Sequence, residues 1–446
     1  MIRHTIASAL AIVLASAPAA ATPADGQGLA WDIVAGLTTE VGQRLAGTDR
    51  EAAAREWAAA RLKALGLANV RIEPFTMRAF IRGEESGRLT APVPQRLAIT
   101  ALGNSVPTPA GGLEVEMVYF ANFDALKAAP AGSLKGKVAF IDHAMRANQD
   151  GSGYGPYGNV RRQAPSMAAS KGAIGAVLRS AGTDPHRNPH TGATNFAAGV
   201  APIPSGAVSN LDADLVARTA ALGKPMRISL TLTGHPQDNA PSGNVIADLP
   251  GRDPSLPLIV IACHLDSWDL GTGAIDDAAG CGIITAAALA AQREGKLLRT
   301  VRLLWAGSEE LGGFGGAAYA KAHAAEAHAL AMESDTGADR VWRVKFRLGA
   351  SSAGLANRIS AALDPMGIVR SKDEPEGGTD VGAIIAAQKL AVIDLDQDAT
   401  RYFDLHHTPD DMLDKVDPVQ LQQNVDAWAK VLRIVANEPG EISGGS

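Results

Sequence analysis

The chain has 446 residues, of which 46% are hydrophobic, 20% charged and 4% aromatic, with 47 glycines and 25 prolines. This composition indicates a globular protein with a large core and excludes a disordered, collagen-like or low-complexity chain. Acidic residues outnumber basic ones by 47 to 41, for a formal net charge of −6. Without a basic stripe, no nucleic-acid partner is expected. The length allows two or three domains, or one enlarged α/β domain with an insertion.

Residues 1–21 have the features of a secretory signal peptide. Arg3 and His4 precede an apolar run over residues 6–15, and residues 19–21 are small alanines suited to cleavage. The run is about half the roughly 20 residues that a membrane-spanning helix needs. No later segment is expected to span a bilayer. The sequence therefore predicts a secreted or periplasmic protein with no membrane contact in its mature form.

The two cysteines, Cys263 and Cys281, are too few to form a disulfide framework in an exported protein. Stability must then come from a core, from bound metal, or from both. The two cysteines could pair with each other, but we expect two buried thiols.

The N-terminal part is predicted to contain helices followed by short strands. Apolar residues at three- and four-residue spacing indicate helices over 31–67, with a break at 47–49 where Thr48 or Asp49 could cap the second helix. Short strands are then predicted at residues 70–75, 96–100 and 113–119.

Residues 118–238 are predicted to form a domain inserted into the catalytic fold. Within it we expect a strand over 136–142, a helix over 167–175 and a strand over 176–178. The catalytic domain would then consist of two segments, residues 22–117 and 239–436. Residues 437–446 are predicted to be a flexible tail.

From residue 244 onward, apolar runs alternate with alanine-rich helical stretches. Strands are predicted at 258–262, 301–305, 329–332 and 390–393, and helices at 281–294 and 315–325. Runs that are apolar throughout are typical of strands buried on both faces. The pattern predicts an α/β fold with a mixed, largely parallel sheet sandwiched by helices.

Acidic residues and histidines follow the ends of these predicted strands and occupy two later loops. The candidate metal ligands are His264, Asp276, Asp277, Glu309, Glu310, Glu333, Asp335, His406 and His407. Because the carboxyl ends of parallel strands meet at one edge of a sheet, these side chains should converge. Burying several unpaired carboxylates together is very costly, and divalent metal ions remove that cost.

Two imidazoles and three carboxylates suit a pair of zinc ions that share one bridging carboxylate. Two ions about 3.5–4 Å apart can hold a water, lower its pKa and stabilise the oxyanion formed when it attacks a carbonyl. A carboxylate outside the metal shell must then accept the proton from that water. The adjacent Glu309 and Glu310 offer one ligand and one general base.

Other chemistries fit the sequence less well. Residues 271–273 resemble part of a dinucleotide-binding loop, but Asp276 stands where the third glycine belongs and would repel a phosphate. The chain contains no Gly-x-Ser-x-Gly motif of a serine hydrolase. His186 and His190 have the spacing of a helical zinc pair, but prolines at 185 and 189 exclude a regular helix, so we expect loop residues within reach of substrate.

Five motifs occur in the order found in the di-zinc exopeptidase family, which contains bacterial leucyl aminopeptidases and glutamate carboxypeptidases. They are His-Leu-Asp-Ser-Trp-Asp at 264–269, Gly-Ala-Ile-Asp-Asp-Ala-Ala-Gly at 273–280, Ser-Glu-Glu-Leu-Gly-Gly at 308–313, Met-Glu-Ser-Asp-Thr-Gly at 332–337 and His-His-Thr at 406–408. The first, fourth and fifth motifs, with Pro-His-Thr-Gly at 189–192, resemble the carboxypeptidases of this family most. The resemblance covers most of the mature chain.

This resemblance implies a ligand set and a mechanism. One zinc would be held by His264, Asp276 and Asp335, and the other by Asp276, Glu310 and His407, with Asp276 bridging. His407 rather than His406 is chosen because it precedes the threonine of the family motif. Glu309 would be the general base and later the acid for the leaving amine, and Asp266 would accept the imidazole N–H of His264.

The resemblance further implies a cis peptide after Asp276 and a protease-associated domain at residues 118–233 that covers the cleft. Residues 376–380 match a substrate-side loop, so Thr379 and Asp380, together with His406 and His190, are predicted substrate contacts. A homodimer is implied by the resemblance alone.

We therefore predict a secreted or periplasmic di-zinc exopeptidase that hydrolyses dipeptides or short peptides. A carboxypeptidase is favoured, and an aminopeptidase on the same scaffold is the alternative. A metal-free binding protein with this fold would have lost ligands, whereas every ligand position and the general base are occupied here.

Overall fold

The computed structural model describes residues 28–445, so the predicted signal peptide at 1–21 lies outside the described residues. The strands are β1 Ala68–Ile81, β2 Glu85–Ala91, β3 Gln95–Leu97, β4 Ile99–Ala101, β5 Leu113–Phe120, β6 Val138–Ile141, β7 Gly175–Arg179, β8 Ser205–Val208, β9 Met226–Leu232, β10 His235–Leu249, β11 Leu258–His264, β12 Val301–Ala306, β13 His328–Glu333, β14 Val341–Arg347, β15 Val369–Arg370 and β16 Ala391–Gln397. The helices are α1 Gly28–Gly36, α2 Asp49–Ala64, α3 Phe123–Ala128, α4 Tyr154–Ser170, α5 Asn210–Ala220, α6 Ala279–Ala291, α7 Phe314–Ala322, α8 Ala353–Leu363, α9 Thr379–Gln388, α10 Tyr402–Leu405 and α11 Pro418–Ala436.

The first sheet has the strand order β1-β10-β12-β11-β13-β16-β14-β15. Its four central strands, β12, β11, β13 and β16, are parallel to one another. β10 pairs antiparallel with both β1 and β12, and β14 pairs antiparallel with β16 and parallel with the edge strand β15. The predicted mixed α/β fold is therefore confirmed. Because the four central strands run in the same direction, their carboxyl ends lie at one edge of the sheet.

Helices cover both faces of this sheet because side chains alternate along its strands. On β11, Ile259 and Ile261 pack in a core with α1, α6, α8 and α11, while Val260 and Ala262 pack on the other face with α7 and α9. The stretch Ala274–Ala291 is long and apolar enough to cross a membrane, contrary to our expectation for later segments, but 89% of it is buried inside the protein. Burial on all sides explains its apolar composition.

The second sheet has the order β3-β2-β9-β5-β6-β7-β8-β4 and is formed entirely by residues 85–232. β10 then returns to the first sheet, where it pairs antiparallel with β1. The predicted start of the insertion at residue 118 is therefore wrong, because β2, β3 and β4 already belong to the second sheet. These strands are short and interrupted by glycine and proline, so their pattern does not show which sheet they join.

Local signals had mixed outcomes along the chain. The predicted cap is confirmed, since the Thr48 hydroxyl accepts the Glu51 N–H at 3.3 Å. The helix predicted over 167–175 instead begins at Tyr154 and ends at Ser170. Its first turns contain glycines, but the buried Tyr157 hydroxyl donates to the Arg179 carbonyl at 2.5 Å and ties the helix to β7. Tertiary packing here overrides weak helix propensity.

Cys263 and Cys281 form a disulfide, so the expectation of two buried thiols is wrong. Cys263 lies on β11 directly before His264, and Cys281 lies in the first turn of α6. These elements pack face to face and bring the two Cα atoms to 5.1 Å, a separation that permits a bridge. Both residues are fully buried.

The described part of the predicted flexible tail, residues 437–445, packs against the first sheet and its helices. Arg299 donates to the Gly440 carbonyl at 2.6 Å, and the Gly349 N–H donates to the Ser443 carbonyl at 2.8 Å. Ile442 is only 6% exposed. The expectation of a loose tail is wrong because one apolar side chain and several backbone carbonyls find partners despite the glycine-rich composition.

Candidate active site

The central strands bring the predicted ligands to one edge of the first sheet. His264 is the last residue of β11, Glu309 and Glu310 follow the end of β12, and Asp335 follows β13. β11 runs parallel to both β12 and β13, so the three chain segments leave the sheet side by side. His407 reaches the same edge from the segment after α10.

Asp276 comes from the loop between β11 and α6. The turn requires a left-handed residue at Gly273, with φ of 61°, where a Cβ atom would lie 2.4 Å from the Ser267 Cβ. The peptide between Asp276 and Asp277 is cis, as predicted. The two carboxylates point to different partners. Asp276 faces the imidazole of His264. Asp277 accepts the backbone N–H groups of His264 at 3.1 Å and Gly280 at 2.9 Å.

The Asp276 carboxylate lies between two imidazoles. Its Oδ1 is 2.9 Å from His264 Nε2, and its Oδ2 is 3.1 Å from His407 Nε2. Each imidazole nitrogen faces one further carboxylate, because His264 Nε2 is 3.3 Å from Asp335 Oδ1 and His407 Nε2 is 2.9 Å from Glu310 Oε2. The structure thus brings all five predicted metal ligands together.

This group fits a pair of divalent metal ions. The nitrogen and carboxylate donors are those preferred by zinc, and one carboxylate is shared between two sets of three. Glu310 Oε1 is buried and has no hydrogen-bond partner among the described residues. Buried polar atoms are normally paired, so this unpaired oxygen favours a bound cation.

The electrostatics of the group lead to the same conclusion. Burial alone would lower the pKa of both histidines, but Asp335 and Asp276 raise the pKa of His264 well above its usual value, and Glu310 and Asp276 do so for His407. Burial, partly offset by His407, raises the pKa of Glu310 to about 8. Several acids confined in a buried site thus require positive charge, which protons or metal ions can supply.

Glu309 lies beside this group, and its carboxylate makes no ion pair with either imidazole. It lines the same cavity as the ligands, where burial raises the pKa of its carboxyl group and the charge of His264 lowers it. Its backbone N–H donates to Asp266 Oδ1 at 3.0 Å. The side chain therefore lies next to the five candidate ligands and outside the two sets that face the imidazoles.

Asp266 contacts the ring of His264, as the resemblance implied, and it does so through its backbone carbonyl. His264 Nδ1 lies 2.9 Å from the backbone carbonyl oxygen of Asp266 and 3.8 Å from its carboxylate. Because the chain turns back at the end of β11, the Asp266 carbonyl reaches the ring of His264. The Asp266 carboxylate is then free to accept the Glu309 backbone N–H. Burial raises the pKa of Asp266 to about 6.

Two further buried charged residues support the loops, and no sequence pattern predicted their role. Arg44 is fully buried and donates to the carbonyls of Leu265 at 2.5 Å, Thr272 at 2.7 Å and Gly273 at 2.9 Å. Asp411 accepts the Ile275 N–H at 2.6 Å. Both residues therefore hold the chain immediately beside His264 and Asp276.

The metal-ligand group opens into a cavity of about 430 Å³. Helices and loops next to both sheets line it, through Tyr154, Arg161, Arg162, Ala193, Asn195, Asp276, Glu309, Glu310, Leu311, Gly312, Gly313, Asp335, Thr336, Thr379, Tyr402, Phe403, His406 and His407. Sequence analysis missed the contribution of α4. The adjacent arginines at 161 and 162 in a helix with few other charges were the available signal.

The four predicted substrate contacts divide into two groups. Thr379 and His406 line the cavity. Asp380 and His190 are fully buried and do not line it. Asp380 lies in the first turn of α9, whose N-terminal N–H groups donate to Glu333, and His190 Nε2 lies 3.3 Å from His406 Nδ1. These two residues can reach a substrate only through their neighbours.

Comparison with known proteins places the chain in a family. The model for peptidase family M28 matches residues 244–432. Carboxypeptidase Q from Bos taurus and from Homo sapiens are each 30% identical over 414 residues, covering 92% of this chain and 86% of theirs.

Solved structures agree with this assignment. A peptidase M28 precursor from Shewanella amazonensis SB2B has a TM-score of 0.91 and 41% identity, covering 94% of this chain and 95% of its own. A zinc aminopeptidase from Bacillus subtilis shares the fold at a TM-score of 0.64 and 18% identity, covering 92% of this chain and 95% of its own. The resemblance drawn from the five motifs is confirmed: the chain belongs to peptidase family M28 and is a metallopeptidase.

Proposed function

We propose that this protein is an exported di-zinc exopeptidase that hydrolyses dipeptides or short peptides, with a carboxypeptidase Q-like activity. The observation that carries the proposal is the position of Asp276 between His264 and His407, each of which faces one further carboxylate at the wall of a cavity. The 30% identity to carboxypeptidase Q over 92% of the chain supports recognition of the free carboxyl end of the peptide rather than its amino end.

His264, Asp276 and Asp335 would hold one zinc ion, and Asp276, Glu310 and His407 the other. Such a pair supplies Lewis acidity that polarises the scissile carbonyl and makes a water acidic enough to lose its proton near neutral pH. The backbone carbonyl of Asp266 fixes the ring of His264 by accepting from Nδ1, so that Nε2 is available as a ligand.

Glu309 would accept the proton from the attacking water and return it to the nitrogen of the leaving amine. Its raised pKa, caused by burial and opposed by His264, suits a carboxylate that must both take and release a proton. The bond from its backbone N–H to Asp266 holds it at the cavity wall.

Export and the nature of the insertion are part of the proposal. A disulfide between Cys263 and Cys281 supports an oxidising compartment, as does the apolar leader predicted at residues 1–21. The sheet of residues 85–232 would be a protease-associated domain, and its contribution of Tyr154 and Asn195 to the cavity supports a role in covering the cleft.

A panel of dipeptides with free and blocked ends tests the proposal on the purified mature chain. We expect two equivalents of zinc, cleavage that a chelator abolishes and zinc restores, and loss of cleavage when the carboxyl end is blocked. Loss of cleavage only when the amino end is blocked would instead assign an aminopeptidase. No bound metal and no cleavage after zinc is restored would refute the proposal.

A further inference from the structure

Arg161 on α4 is a buried cation without an acidic partner. The residue is 5% exposed and lines the same cavity as the metal ligands. Its Nη1 donates to the Thr191 carbonyl at 3.3 Å, its Cζ lies 5.5 Å from the Tyr154 ring centroid, and its Nε has no partner. Among residues 28–445 it forms no ion pair. A buried guanidinium normally pairs with an anion, so this position suits a negatively charged ligand.

A second guanidinium lies beside it. Arg162 also lines the cavity, and its side-chain partner is the neutral Asn159 Oδ1 at 3.1 Å. Burial, and then the charge of Arg161, lowers the pKa of Arg162. Two adjacent positive charges that face a cavity repel each other unless an anion lies between them and the solvent. The wall formed by α4 is therefore suited to a negatively charged group.

The guanidinium of Arg161 is held in place before any ligand binds. The backbone at Gly192, with φ of 133°, passes so close that a Cβ atom there would lie 2.3 Å from Arg161 Cζ. The Thr194 hydroxyl donates to the Arg161 carbonyl at 3.0 Å, which ties this loop to α4. A side chain that is already ordered loses little entropy on binding, so it can bind a ligand tightly.

An adjoining cavity of about 240 Å³ has the opposite charge. It shares Asp335, Thr336 and Thr379 with the first cavity and is further lined by Asp150, Glu333, Glu376, Asp394 and Asp396. Its single cation, Lys345, lies 3.1 Å from Asp396 and is already paired. A carboxylate would be repelled there, whereas the arginine wall attracts it, so a peptide has one favoured direction across the metal-ligand group.

We propose that Arg161 binds the C-terminal carboxylate of the peptide substrate, with Arg162 adding a second positive charge. This inference rests on the proposed exopeptidase function and identifies the group that selects the carboxyl end. A planar guanidinium can donate two parallel hydrogen bonds to a carboxylate, which gives direction as well as affinity. Arg161 touches the non-reacting end of the substrate and determines specificity.

The test compares a dipeptide with its C-terminal amide in the zinc-loaded enzyme and in Arg161→Met. The wild type should prefer the free acid by about 10²-fold or more in kcat/KM, since a site built for a charged partner rejects an analogue that lacks it. Arg161→Met should lose most of that preference, through a higher KM for the acid and little change with the amide. Arg218→Met is the matched control. Arg218 is an exposed arginine on α5, which packs on the second sheet as α4 does, and it does not line the cavity.

Arg161→Lys covers the case in which Arg161→Met fails to fold. Lysine keeps the charge but loses the paired geometry, so a smaller loss on the acid alone is expected. The inference would be overturned by equal cleavage of acid and amide in the wild type, or by variants that retain the preference. Variants that retain the preference, with chelator-sensitive cleavage, would remove Arg161 from this role and leave the proposed function intact. Equal cleavage of acid and amide by the wild type would also contradict the choice of the carboxyl end, and absence of cleavage of both substrates in the zinc-loaded wild type would refute the peptidase function itself.

Discussion

Replacing Arg44 by methionine should weaken both the fold and the metal site. Arg44 is fully buried. Its guanidinium donates to the Gly42 carbonyl at 3.5 Å and to three carbonyls beside the candidate ligands. One belongs to Leu265, directly after the ligand His264, and the other two belong to Thr272 and Gly273, shortly before the bridging Asp276. A single side chain thus joins the two loops that place these ligands.

The size of the effect follows from these bonds. A hydrogen bond from a charged donor contributes about 1.5–3 kcal/mol, and removal of one partner leaves buried carbonyls unpaired. Because the three bonds share one donor and are not additive, we expect a loss of about 3–5 kcal/mol in the free energy of unfolding, as for other buried charges. Zinc affinity should fall about 10–100-fold, the usual cost of losing a group that orients metal ligands.

Urea denaturation of the metal-free protein measures the first effect, and zinc titration against a competing chelator measures the second. Arg252→Met is the matched control, because exposed Arg252 also donates to a backbone carbonyl, that of Lys296 at 3.0 Å, far from the ligands. It should change neither quantity. Unchanged stability and zinc affinity in Arg44→Met would refute the supporting role of this side chain.

Three further changes should have distinct effects. His407→Ala should lose one of two zinc equivalents by metal analysis while His406→Ala keeps both; the opposite order would exchange their roles. Burial raises the pKa of Glu51 to about 7. Between the usual carboxyl pKa and pH 7, the folded state therefore binds more protons than the unfolded state. The free energy of unfolding should fall as pH rises through this range. Glu51→Gln should flatten that part of the stability profile, and an unchanged slope would contradict the assignment. Removal of residues 439–446 should lower the free energy of unfolding by about 2–3 kcal/mol with activity retained. The deletion removes the buried Ile442 side chain and the Gly440 carbonyl that Arg299 contacts. A truncated chain of unchanged stability would argue against this packing.

The fold of the first sheet could be predicted because three of its central strands, β11, β12 and β13, are largely apolar and lead directly into polar candidate ligands. The end of β11 at His264 and the Glu309-Glu310 pair after β12 both follow this rule. A parallel arrangement then brings their carboxyl ends together without further information. The choice of His407 rather than His406 as the candidate ligand came from the family motif, because residue spacing alone did not decide between them.

The errors arose where the outcome depends on tertiary contacts. The strands between residues 85 and 101 have patterns that suit either sheet, and only their partners decide between the two. For Asp266 the prediction named no atom, because the choice between carbonyl and carboxylate depends on how the backbone turns after β11. The two arginines of α4 look like solvated charges in the sequence, and they become notable only when the second sheet places them at the cavity wall.

The most direct test of the account compares Glu309→Gln with Glu310→Gln, two neighbouring carboxylates with different assigned roles. In Glu309→Gln we expect two zinc equivalents to remain while turnover falls by about 10²–10⁴-fold, the usual contribution of a general base. In Glu310→Gln we expect metal content itself to fall. Near-normal turnover in a zinc-loaded Glu309→Gln enzyme, measured on the same dipeptide, would contradict the proposed mechanism.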